Sequence, residues 1–153
     1  MASRNRTPAD AGALAACLLV EGCRMNADGS PNLGVVSDLA LDLERRLDAL
    51  SRLEEDPQPP DSLVEAALAC ADLATLAACN LSRLSDDGEP LATAAVHLAA
   101  GATRALTILV EARTWILEGT HAENTLRDAR GALWRADLAV RQIEELRRGE
   151  APG

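Results

Sequence analysis

The chain has 153 residues, 48% of them hydrophobic and 25% charged, with a formal net charge of −9. That is the size of one domain with a core of its own, 1–153, and it excludes a disordered chain. The acidic balance opposes binding to phosphate backbones or anionic lipid, and two aromatic residues, Trp115 and Trp134, make no stacking platform for single-stranded nucleic acid.

Alanine and leucine together exceed a third of the chain, while Val and Ile are scarce and Phe and Tyr absent. This composition favours helix and starves strands. Every basic residue is Arg. Without Lys there is no Schiff-base chemistry and no Walker-type phosphate loop.

At the N-terminus, Arg4 and Arg6 precede an apolar run, and Leu14-Ala15-Ala16-Cys17 resembles a lipoprotein cleavage box. The run is misplaced around Cys17 and follows Asp10, so no processed leader is expected. The first helix is predicted over 8–27, with Thr7 as cap and Pro8 in the first turn. It is apolar nearly all round, which predicts a covered, central position.

A second helix is predicted over 31–55, capped by Ser30, with Val36, Ala40, Leu43, Leu47 and Leu50 on one stripe. Pro57, Pro59 and Pro60 end it and make a Pro-rich linker over 56–61. The third helix, 62–84 with Asp61 as cap, carries Leu63, Ala67, Cys70, Ala74, Ala77 and Leu81 at alternating spacings of four and three. Its other faces are apolar too, so it should be the most buried element, packed tightly through alanine.

After the break at 85–90, a fourth helix is predicted over 90–118 and closed by Gly119. Thr120-His121-Ala122-Glu123 then has the form of a capping box opening a fifth helix, 121–148. There Leu126, Ala129, Leu133, Ala136, Val140 and Ile143 should face inward. Trp134 lies one step off that stripe, either at the core boundary or on a partner surface. The fold class is therefore all-α, an antiparallel bundle of four to five helices. Two nearly all-apolar helices, the first and third, are more than one small monomer covers, which predicts a homodimer.

No stretch without charge reaches the ~18 residues of a membrane span, and the longest, Pro90 to Thr103, has fourteen. Cys17, Cys23, Cys70 and Cys79 form no C-x-x-C and read as small buried thiols of a reducing cytoplasm. His97 does not follow a Glu at the spacing of a di-iron bundle, and His121, three residues after Glu118, makes a single such pair across the predicted break between two helices, so neither metal nor cofactor is expected.

Thr93, His97, Arg104 and Glu111 fall near one line along the fourth helix, and Glu65 and Asp72 make an acidic line on the third. If the lines face one another, Asp72 and His97 could do acid–base work while Arg104, Glu111 and Thr93 hold a ligand. His97, in a stretch without charge, should be buried and therefore partnered.

The order of elements resembles the cyclodeaminase/cyclohydrolase family, all-helical dimeric folate enzymes of the formiminotetrahydrofolate cyclodeaminase type. The matching pieces are Ala11 to Met25, Leu47 to Asp56, the helix running into Asn80 and Ser85-Asp86, then Ala94-Ala95 and Gly101-Ala102. The chain departs from the family's Gly-rich opening with Pro8-Ala9-Asp10-Ala11-Gly12, and it has no Lys after the first helix. The resemblance implies Asp86, and more weakly Asp56, as site residues and a folate-like ligand. Two functions stay open: a divergent cyclodeaminase-like protein binding a small molecule between helices, with cyclisation, ring-opening or deamination chemistry, or a non-catalytic bundle for dimerisation or protein interaction. No complete catalytic constellation decides between them.

Overall fold

A computed structural model describes residues 6–25, 31–52 and 59–150. Five α-helices account for nearly all of them: α1 (Pro8–Arg24), α2 (Pro31–Ser51), α3 (Pro60–Asn80), α4 (Glu89–Arg113) and α5 (Gly119–Glu150). Short 3-10 turns, Leu81–Arg83 and Thr114–Ile116, follow α3 and α4. Helix makes up 91% of the described residues, with no strand among them, as the shortage of β-formers predicts.

Several boundaries differ from expectation. α1 stops at Arg24, while Ser30 as a cap, Asp56 and most of the 56–61 linker lie outside the described residues. α3 starts at Pro60 with Pro59 as its N-cap residue, so Asp61 is not the cap; proline's fixed φ suits the first helical position. Its carboxylate instead meets His121 at 3.1 Å. Gly119 takes a left-handed φ of 59° between the 3-10 turn and α5, a conformation that costs other residues a Cβ clash. α5 begins there, so Thr120 lies inside the helix rather than capping it. At α1, Asp10 accepts a hydrogen bond from the Thr7 N–H at 2.7 Å.

α3 lies at the centre, packed against α4, α5, α2 and α1, and α1 lies between α2 and α4. One core region joins Leu19, Val36, Leu73, Ala77, Ala95 and Val96; another joins Leu47, Leu63, Cys70, Leu106, Ala129 and Ala136. α3 is thus covered within a single chain, which removes one reason for expecting a dimer. The other helices cover its faces, since small alanine side chains let several backbones approach at once.

Glycine takes this further. A Cβ on Gly12 would stand 2.5 Å from the Cys70 sulfur, and one on Gly88 would stand 2.5 Å from the Gly22 carbonyl oxygen. The second contact is backbone against backbone, where α1 crosses the start of α4.

By length and composition, Pro60–Arg83 and Glu89–Arg113 are long and apolar enough to cross a membrane. The count of uncharged residues does not reveal this, because isolated charges such as Glu65 and Asp72 interrupt otherwise apolar helices. In the most apolar 18 residues of each, 61% and 50% respectively lie buried inside the fold.

Candidate functional site

The two polar lines do not face one another. Asp72 on α3 accepts a 2.6 Å hydrogen bond from Arg135 on α5. Arg104 on α4 donates to both carboxylate oxygens of Asp137, at 3.1 and 3.2 Å, and Glu111 accepts from Arg130 at 3.4 Å. α5 therefore engages the polar groups of both neighbours from its own two sides. Helical spacing places residues on a line but says nothing about which helix lies across from it. Glu65 is exposed.

His97 is exposed, contrary to expectation. Its apolar sequence neighbours Val96 and Ala99 turn inward, and position 97 falls on the opposite side of α4. It lines an open depression of about 450 Å³ with Asp86, Glu89, Pro90, Thr93, Ala94 and Arg147. Three residues chosen from the sequence, Asp86, Thr93 and His97, thus come together, while Asp72, Arg104 and Glu111 do not join them.

The turn between α3 and α4 builds one wall. The Gly88 N–H donates to the Ser85 carbonyl at 3.0 Å and to the Ser85 hydroxyl at 3.3 Å, and the Glu89 N–H donates to the same carbonyl at 2.9 Å. This holds Asp86 at the rim. Thr93 donates its hydroxyl to the Glu89 carbonyl at 2.9 Å, which leaves oxygen lone pairs available to a ligand. Arg147 arrives from the last turn of α5, because α5 runs antiparallel to α4 and returns to its start.

Sequence reasoning missed Glu89 and Arg147. The signal for Arg147 was its place at the end of the helix after α4, whose return brings the two ends together. The depression offers a guanidinium to an anion, two carboxylates to a cation and an imidazole to a proton.

The thiols divide. Cys23 and Cys70 are buried as expected, but Cys17 and Cys79 are exposed. Burial pushes the Cys70 thiol up to about 12 and also raises that of Cys23. Partial desolvation and then the Glu44 carboxylate, which accepts the Cys17 S–H at 3.2 Å, raise the Cys17 thiol. No group of three His, Cys, Asp or Glu among the described residues is placed to hold a metal ion. No family model matches the chain, and no curated protein matches it.

Proposed function

We propose that this chain is a divergent cyclodeaminase/cyclohydrolase-like helical protein that binds a small zwitterionic or anionic molecule in the depression at the start of α4. The supporting observation is that Asp86, Thr93 and His97 share that depression with Arg147. Arg147 would take a carboxylate or phosphate, Asp86 and Glu89 an amine, and His97 would exchange a proton with the bound molecule. A folate-like compound or a small amino acid has this combination of groups. The wide mouth leaves the ligand in contact with water, which favours binding over chemistry that needs water excluded.

The five helices make one antiparallel bundle in this reading. The protein works as an acidic cytoplasmic homodimer, with no resident cofactor and no membrane or nucleic-acid partner. Four free cysteines suit a reducing compartment. A second reading, a non-catalytic dimerisation or protein-interaction module, draws on the exposure of Trp115 (81%) and Trp134 (61%).

A thermal-shift screen with folates, small amines and amino acids tests the first reading, because a ligand that binds only the folded state raises Tm. Arg147→Met and His97→Ala should keep the unliganded Tm and lose the ligand-induced rise. If no such compound shifts the wild type, the binding reading fails and the interaction module takes its place.

A further inference from the structure

The outer face of α5 is not used by the fold. Arg127, Gly131, Trp134, Leu138, Arg141 and Glu145 are all exposed, and they recur at alternating spacings of four and three, the pattern of a helix–helix seam. Among the described residues the three charged members have no ion-pair partner. Their neighbours Arg130, Arg135 and Asp137 are the residues that bind α3 and α4.

The six positions pair off about the level of Ala136. Arg127 lies nine residues before it and Glu145 nine after; Gly131 and Arg141 lie five to either side, Trp134 and Leu138 two. We infer that this face is the interface between two copies of the chain, crossing antiparallel about a two-fold axis at the level of Ala136. It rests on the dimer reading above and names the surface.

In that register each Arg127 meets the partner's Glu145, so unlike charges pair twice. Trp134 packs on Leu138 of the partner subunit, burying two side chains that are 61% and 44% exposed in one chain. Gly131, with nothing within 4 Å of an added Cβ, leaves room for Arg141 of the partner subunit, whose guanidinium then lies beside the Trp134 ring. A parallel pairing would place Arg127 on Arg127 and Glu145 on Glu145, so charge selects the antiparallel one. A two-fold interface requires each member of the seam to complement the member it meets, as Arg127 complements Glu145 and Trp134 complements Leu138.

Disulfide trapping reads the register directly. In a Cys17→Ser, Cys79→Ser background, Gly131→Cys and Arg141→Cys chains are oxidised separately and mixed. Like positions on the two copies would stand about 15 Å apart, beyond the reach of a disulfide, whereas the unlike pair is level. The mixture should cross-link and each variant alone should not. Arg127→Glu and Glu145→Arg should each weaken dimerisation by about tenfold, and the double reversal should restore it. Trp134→Glu should sediment as a helical monomer.

A wild type that sediments as a monomer overturns both this interface and the dimer reading. A dimer that survives Trp134→Glu but is lost in Ile108→Glu, on the outer face of α4, overturns the interface alone. So does a dimer whose mixed cysteine chains fail to cross-link.

Discussion

α1 and α5 both pack against α4 and α3, by opposite means. α1 approaches through Gly12, Ala15, Ala16 and Gly22, so close that a single Cβ has no room at two positions. α5 buries Ala129, Ala132 and Ala136 but reaches past them with Arg130, Arg135 and Asp137 to bind carboxylates and a guanidinium on its neighbours. A steric junction has one solution and fails abruptly. A junction of long charged side chains tolerates change, because each pair is partly hydrated and contributes little alone.

The contrast is tested most strongly at the α1–α4 crossing. Gly88→Ala drives a Cβ against the Gly22 carbonyl, and no side-chain substitution relieves backbone. A loss of about 3 kcal/mol is expected, on the order of 10 °C in Tm by calorimetry. Gly12→Ala should cost about 2 kcal/mol, because its obstacle is the Cys70 sulfur. Cys70→Ala should recover part of that cost, and urea denaturation of the double-mutant cycle measures the coupling.

The same sulfur gives the steric side a pH dependence. Burial pushes the folded Cys70 thiol up to about 12, against 9.0 for a cysteine in water. As pH rises above 9 the unfolded chain releases this proton first, so stability falls between pH 9 and 12. About 1 kcal/mol should be gone by pH 10, and Cys70→Ala should flatten that slope.

The charged side should respond least. Asp72→Asn weakens its half-exposed pair with Arg135 and should cost about 0.5 kcal/mol, less in high salt. Arg104→Met, whose pair with Asp137 is more exposed, should cost less still. His97→Ala, on the surface, should fall within about 0.5 kcal/mol of the wild type, where a buried histidine would have cost several times that. A large loss in either of the first two would mean that α5 is held as rigidly as α1.

The class of fold and the inward stripes were legible in the order of residues. The spacing of Leu63, Cys70, Ala74 and Ala77, or of Ala129, Ala136 and Ile143, is local information set by the helical period, and these residues are buried. Helical spacing also singled out Thr93 and His97 on α4, and the family resemblance singled out Asp86 before it. What those residues meet depends on how the helices pack. Asp72 and Arg104 share no pocket because α5 lies against both helices and takes each for itself. Arg147 lines the same depression as His97 because α5 returns along α4, which brings together positions fifty residues apart. Exposure was likewise a tertiary matter: His97, Cys17 and Cys79 sit in alanine-rich stretches, and a wholly small or apolar neighbourhood carries no sign of which face turns to water. Periodicity fixes an angle around a helix axis. The direction of the core relative to that angle is set by the helices that pack against it.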